Sequence, residues 1–467
     1  MSARNKKYLS DNRRGALPAQ FDVVSNTNIT IPKNFIGLHH GANASQPNLA
    51  GFKYGLWRTH DSGFRWYSIE TSYGFYNWDA FETEVNYEVA RGNEVMFTLY
   101  SPPIFHITGP IAQRWTANTV HPGTTNDATY KYPTIANRNG RRYHGTAGTT
   151  GATEPTWPTT NGATVVDGSV TWTCFYYQGS PYGGINDGAP AGAFNQVPST
   201  QSVYNFITAL LTRFNSGGNH KIKYIEIMNE ADYLKTSAGW FVGDPPDLVA
   251  IANEARTAIT NFGDATVKLC CGGWTGNGSQ LTSFLNAQDT ISGKFGHQVA
   301  FDYFTYHNYG GHSRYDSNVS GVVRLNNFLH KTTNGLNAYI NALTPFSLQN
   351  TPIMVSEFGR YSNANNLGGS TYSFNTMPDE DAKNLMLITL LYHVAIGIKN
   401  IIIYNYESSQ FTGDLQNPTG KRAAFDTFAG FGVLNWLKIN KVDDSVYCSI
   451  DGKEYVFKYP ETTGNSW

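Results

Sequence analysis

Short apolar runs rich in β-branched and aromatic residues alternate along this chain with longer stretches whose apolar positions repeat at helical spacing. The runs predict strands at Phe35–His39, Tyr54–Thr59, Glu94–Tyr100, Lys221–Asn229, Thr266–Gly272, Phe301–His307, Pro352–Glu357 and Asn400–Tyr404. The spacing between them predicts helices, among them Asp79–Arg91, Thr200–Phe214, Asp247–Asn261 and Asp379–Ile396. The last is the clearest. Pro378 and the acidic Asp379, Glu380 and Asp381 open it, as the helix dipole favours. Leu385, Met386, Ile388, Leu391, Val394 and Ala395 then supply a broad apolar face, and Gly397 closes it.

Strands alternating with helices imply a parallel sheet, and eight such units imply closure into an α/β fold of the (β/α)8, or TIM-barrel, type. The structural rival is an open doubly wound sheet. Its nucleotide-binding versions lose support, because no G-x-G-x-x-G follows the first strand and Gly420-Lys421 lacks the rest of a phosphate loop. Two regions break the alternation. Residues 111–179 are rich in Gly, Thr, Pro and Tyr without helical period and predict a small β-rich insertion after the third strand. Ser445–Pro460 predicts a hairpin turning at Asp451-Gly452. The expected organisation is an N-terminal arm over 1–30, the barrel over 31–440 with the insertion at 111–179, and a C-terminal β segment over 441–467, incomplete as a domain.

Composition narrows the class. Charged residues make up only 15% of the 467, against roughly 25% in ordinary soluble proteins, while aromatic residues make up 14%. Rings and neutral hydrogen-bonding groups suit sugars; an aromatic-rich core is the plainer explanation, and composition alone does not separate the two. The net charge of −1 lacks the basic footprint of a nucleic-acid binder. The basic cluster Arg4, Lys6, Lys7, Arg13 and Arg14 reads as a solvated tail. Cys174, Cys270, Cys271 and Cys448 match no zinc spacing and are expected as buried thiols. No apolar stretch approaches the ~20 residues of a membrane helix, and no signal-peptide core is expected at the N-terminus. The scattered histidines have no metal-site spacing, and neither a metal nor any other cofactor is expected.

In a TIM barrel, chemistry gathers at the C-terminal ends of the strands. Two glutamates stand there: Glu230, in KYIEIMNEAD after the fourth strand, and Glu357, in TPIMVSEFGR after the seventh. The two strands face each other across the mouth, so the carboxyl groups are placed to flank a sugar. Glycosidic hydrolysis needs such a pair, at ~5–5.5 Å for retention or ~6.5–9.5 Å for inversion. The bland reading of each is a solvated carboxylate or an ion-pair partner. Arg58 ends the second strand, with an ion pair to Asp61 as its duller alternative. His39 and His40 end the first strand, and adjacent strand residues face opposite ways, so at most one points inward. Trp66, Trp274, Tyr404 and Tyr406 follow strand ends and are candidate stacking rings, each with packing as its alternative.

Asn229-Glu230 after the fourth strand and Ser356-Glu357-Phe358-Gly359 after the seventh resemble the clan of retaining barrel glycosidases. Within that clan the chain looks nearest to glycoside hydrolase family 39 and its exopolysaccharide-cleaving bacterial relatives. The resemblance runs from Phe35 to Trp436 apart from the insertion. It implies Glu230 as general acid/base and Glu357 as nucleophile, with Asn229 on the sugar 2-hydroxyl and Arg58 supporting the nucleophile. His307, in FTYHNYG, would contact the acid/base or the substrate, and Tyr309 would hydrogen-bond the nucleophile; a satisfied barrel histidine is the alternative for His307. Glu407 departs from the clan, which commonly presents an aromatic residue there. It would bind a hydroxyl or amino group of the substrate or compete as a third carboxylate.

The insertion segment GTTGATEPTWPTTNGATVVDGSVTWTC resembles a short module of bacteriophage tail and receptor-binding proteins. Together the two resemblances imply a retaining endo-glycosidase on a virion tail or outside the cell. Its substrate would be a bacterial capsular or exopolysaccharide, and its partners other virion proteins or further copies of itself; neither nucleic acid nor membrane is expected. A free bacterial glycosidase of the same clan and a barrel that binds glycan without cleaving it are the alternatives.

Overall fold

The computed structural model describes residues 21–40, 52–60, 62–72, 74–103, 106, 112–113, 115–123, 125–126, 131–132, 134–136, 142–160, 162–175, 197–231, 243–275, 278–289, 291–308, 324–359, 379–404, 421–440 and 445–458. Eight parallel strands close a barrel: β1 (Ile36–His39), β2 (Leu56–Arg58), β3 (Glu94–Leu99), β4 (Ile222–Asn229), β5 (Lys268–Trp274), β6 (Tyr303–Asn308), β7 (Ile353–Phe358) and β8 (Ile401–Ile403). Each pairs with its sequence neighbours, and β8 closes onto β1. The open-sheet alternative is thereby excluded, and each strand lies within two residues of its sequence-predicted bounds at both ends.

The alternation of side chains along a strand sets the interior. Leu56, Met96, Tyr224, Cys270, Met354 and Ile402 form one inward apolar cluster. Their outward neighbours, such as Ile225, Val355 and Ile403, belong to the large shell between barrel and helices. Two residues further along β2, β3, β4 and β7 come Arg58, Thr98, Glu226 and Ser356, all buried. An apolar plug therefore gives way to a polar layer just below the mouth. At the other end, Glu94 accepts Tyr224 Oη at 2.8 Å and Asn34 Nδ2 at 2.5 Å, closing the floor.

The ring of helices includes α1 (Asp79–Ala90), α2 (Thr200–Asn215), α3 (Pro245–Phe262), α4 (Gly278–Asn286), α5 (Arg324–Leu343), α6 (Asp379–Ala395) and α7 (Lys421–Phe428). Caps explain their starts. Ser199 accepts the amide of Ser202 before α2. Asp244 and Asp247 form a capping box, with Pro245 in the first turn of α3, so this helix begins two residues before its apolar pattern does. No helix of the described residues is long and apolar enough to cross a membrane.

Two five-stranded sheets lie outside the barrel, besides three two-stranded ladders among the described residues. Phe21–Ser25 and Ile29–Thr30 pair with Val433–Asn440, which continues through Ser445–Ile450 to Lys453–Lys458. Residues 21–30, expected in an arm, and 433–440, expected in the barrel, thus share one sheet. Leu434, Leu437, Ile439, Val446 and Ile450 add to the shell core, which gives the N-terminal strand an apolar surface to pair over. Asp451 (φ 52°) and Gly452 (φ 74°) turn the hairpin, both left-handed as a two-residue turn of this kind requires. The basic residues 4–14 lie outside the described set.

In the insertion, five strands run in the order Thr164–Asp167, Val170–Phe175, Arg142–Gly145, Thr134–Ala136, Ala112–Gln113. They carry a core of their own: Tyr143, Val170, Trp172 and Cys174. Asp167 accepts both Trp115 Nε1 (2.8 Å) and Trp172 Nε1 (3.0 Å). The four cysteines are free and buried.

His393 of α6 accepts Asn308 Nδ2 at 3.2 Å, anchoring the end of β6, and burial pulls its pKa from 6.5 down to about 4. The unfolded chain therefore takes up this proton first. Its penalty is absent above pH 6.5 and grows as pH falls toward 4, to about 3 kcal/mol. We expect urea denaturation to show stability falling across that window, and His393→Leu to flatten the fall; an unchanged slope in the variant would contradict it.

Candidate active site

The strand ends converge on one guanidinium. Arg58 is fully buried, and all three of its nitrogens donate hydrogen bonds. Nε reaches Glu226 Oε2 at 2.6 Å; Nη2 reaches the same oxygen at 2.6 Å and Asn229 Oδ1 at 2.7 Å. Nη1 reaches Glu357 Oε1 at 2.8 Å and His39 Nε2 at 2.9 Å. Burial opposes its charge, yet Glu226 and Glu357 raise its pKa above the ordinary arginine value. Asp61, the alternative partner, lies outside the described residues.

Glu357 and Glu230 meet on one imidazole. His307 Nδ1 lies 2.9 Å from Glu230 Oε1 and 3.2 Å from Glu357 Oε2. One oxygen of each carboxylate and the ring nitrogen all fall within 4.8 Å of one another. Burial alone would discharge His307, but the Glu357 charge and the Glu230 hydrogen bond outweigh it and raise its pKa. His307 therefore keeps a proton on Nδ1 between the two acids. Glu230 is the more open, its side chain 19% exposed against 5% for Glu357.

Backbone strain aims Glu230. Met228 (φ 61°) and Glu230 (φ 47°) are both left-handed although neither is glycine, at a cost of about 1–3 kcal/mol each. Across β5, Asn229 pairs with Gly273, whose carbonyl accepts the Glu230 amide at 2.8 Å. Gly273 itself must lack a side chain. A Cβ there would collide with His307 Nε2 and stand 3.2 Å from Arg58 Nη2.

The remaining candidates divide. His39 faces the mouth; burial and the neighbouring Arg58 charge lower its pKa, and its Nε2 lies 2.9 Å from Arg58 Nη1 and 3.2 Å from the Ser356 carbonyl. His40 faces outward, as alternation demands. It stacks on Trp57 at 5.2 Å and lies 3.3 Å from Glu88 of α1, which removes it from the sugar contacts. Trp274 is 2% exposed and packs on Phe284, so its face is covered and it too leaves the set. Trp66 likewise is buried, its Nε1 on Glu70. Tyr404 stays at the mouth, half-buried, with its ring edge-on to His39 at 5.1 Å. Tyr309, Tyr406 and Glu407 lie outside the described residues. Pattern-reading passes over Glu226, Thr98 and Gly273. The signal for Glu226 was present: a charged residue at inward parity in the middle of the apolar run Tyr224–Met228.

Removing Arg58 leaves two buried carboxylates uncompensated. We expect Arg58→Met to lose about 3–5 kcal/mol in urea denaturation at pH 7; a loss below about 1 kcal/mol would show that this cation does not hold the mouth together.

Residues 185–388 match the family model for Cellulase (glycosyl hydrolase family 5). No curated protein matches the chain. Among solved structures, a monomeric β-xylosidase from Caulobacter crescentus CB15 is similar over 96% of this chain and 78% of its own, at 11% identity and a TM-score of 0.53. An endo-glycoceramidase II from Rhodococcus sp. is similar over 91% and 85%, at 14% identity and a TM-score of 0.43. The matched segment spans α3 and strands β4 to β7, and thus both glutamates and His307. The closed (β/α)8 barrel with a glycosyl hydrolase family 5-like domain over residues 185–388 is that of a glycoside hydrolase.

Proposed function

We propose that this chain is a retaining endo-glycosidase that cleaves a bacterial capsular or exopolysaccharide, borne on a phage tail and related in detail to family 39. The observation that carries the retaining mechanism is the meeting of two carboxylates on His307 Nδ1, with oxygens within 4.8 Å. That spacing leaves no room for the water an inverting enzyme holds between carboxyl groups ~6.5–9.5 Å apart.

Glu230, the more exposed acid, protonates the leaving oxygen. Glu357, paired with Arg58, attacks the anomeric carbon from the other side. As the leaving group departs, negative charge passes from Glu357 to Glu230, and the His307 N–H lies within reach of both. Water then opens the ester with Glu230 as base. Asn229, its Oδ1 held by Arg58, turns its amide nitrogen to the sugar 2-hydroxyl.

The polymer substrate is supported by where the insertion leaves the barrel. It follows the C-terminal end of β3, the face that carries the glutamates, where an added sheet can meet a long glycan. Its resemblance to a tail module supports the virion setting. A free glycosidase acting on chain ends is the second reading, favoured by the likeness to the Caulobacter β-xylosidase. Incubation with purified capsule or exopolysaccharide separates them: rapid viscosity loss with few new reducing ends supports endo cleavage, and slow viscosity loss with many reducing ends supports the second.

Proton NMR of the first product formed is expected to show the anomeric configuration of the substrate; the opposite anomer would sink the retaining mechanism. Glu357→Gln is expected to abolish turnover while keeping fold and glycan binding, and activity within a few-fold of wild type would refute its role. Gly273→Ala is expected to lower turnover on the order of 10²-fold by displacing His307 and Arg58, with the far-ultraviolet spectrum unchanged. An active alanine variant would show that the close approach does not matter.

A further inference from the structure

The chemistry just proposed leaves one buried carboxylate without a task. Glu226 is fully buried inside the barrel, on β4 four residues before Glu230. Its Oε2 receives Nε and Nη2 of Arg58, each at 2.6 Å, and the Thr98 hydroxyl at 3.1 Å. Its Oε1 has no hydrogen-bond partner among the described residues. Glu357, by contrast, holds Arg58 through Nη1 alone. Two carboxylates share one cation, and the inner one has the firmer grip.

The sharing matters because the reaction changes the charge of only one of them. In the covalent step the bond from the anomeric carbon to the leaving oxygen breaks, and a bond from that carbon to a Glu357 oxygen forms. The Glu230 proton goes to the leaving oxygen. Glu357 becomes a neutral ester and Glu230 becomes the anion. The other titratable groups near Arg58 do not replace the lost charge. Burial and Arg58 lower the pKa values of His39 and His60, burial raises that of the Cys270 thiol, and Glu230 is engaged with His307. Glu357 as sole partner would leave the buried guanidinium without a counter-ion at the ester stage, an arrangement proteins tolerate poorly.

We propose that Glu226 is a positioning residue: the standing counter-ion of Arg58, which keeps that cation neutralised and in place while the nucleophile gives up its charge. At the ester stage the site then holds two matched contacts, Glu226 with Arg58 and Glu230 with His307. The inference rests on the glycosidase reading for its purpose, but its physical content is open to measurement without substrate.

The test is a double-mutant cycle in urea at pH 7 on the full chain, with Glu226→Gln, Glu357→Gln and the two combined. Glu357→Gln removes the nucleophile's charge as esterification does. The double substitution is expected to lower the folding equilibrium constant at least tenfold more than the product of the single effects. Effects that simply multiply overturn the proposal. Adding Arg58→Met to the double substitution is expected to recover that excess. Should the double substitution not fold, a triple that also stays unfolded overturns the proposal, and one that folds supports it. Glu226→Asp combined with Glu357→Gln is expected to lose most of the excess, because Asp keeps the charge though it fits the space worse; an undiminished excess would mean that shape, not charge, is what Glu226 provides. A wild type that cleaves no glycan sinks the glycosidase reading and leaves the answer about Arg58 standing.

Discussion

A fully buried guanidinium ties the mouth of this barrel together. Arg58 links β2 to β4 through Glu226 and Asn229, to β7 through Glu357 and to β1 through His39. Removing a cation from water is unfavourable, and hydrogen bonds from all three of its nitrogens offset this. The offset works only if four strands hold their ends at fixed heights. The demand for register at the top of the barrel is therefore electrostatic, whereas lower down it is steric, set by the apolar cluster around Met96 and Met354.

The local departures from regular strand geometry follow from that demand. Met228 in β4 and Glu230 just past its end are left-handed on either side of Asn229, and β5 yields space at Gly273. Each would be unfavourable in an ordinary strand. Together they let Asn229 face Arg58 while Glu230, the next residue, reaches His307, although neighbours on a flat strand would point apart. Strain in this fold gathers where two adjacent side chains must serve the same cavity.

Much of this was legible in the sequence, for identifiable reasons. The eight strands were legible because each is a short apolar run bounded by polar residues or turns, and parallel strands buried on both faces read that way. Glu230 and Glu357 stood out as acids at the ends of such runs. His40 and Trp274 did not resolve, because position after a strand does not give direction: a register shift in β5 between Cys271 and Trp274 puts the indole against Phe284, in the shell. The N-terminal strand Phe21–Ser25 was also hidden. Its pairing partner lies more than 400 residues away in sequence, and no local pattern encodes so distant a ladder.

The insertion has a hydrophobic centre that shares no residue with the barrel core, and two of its tryptophans are fastened by an aspartate of its own. Two structural ledgers of this kind seldom constrain each other. Changes on one side leave packing on the other undisturbed, so the outer sheet is free to drift, be exchanged or be lost over generations while the acids at the barrel mouth stay in register.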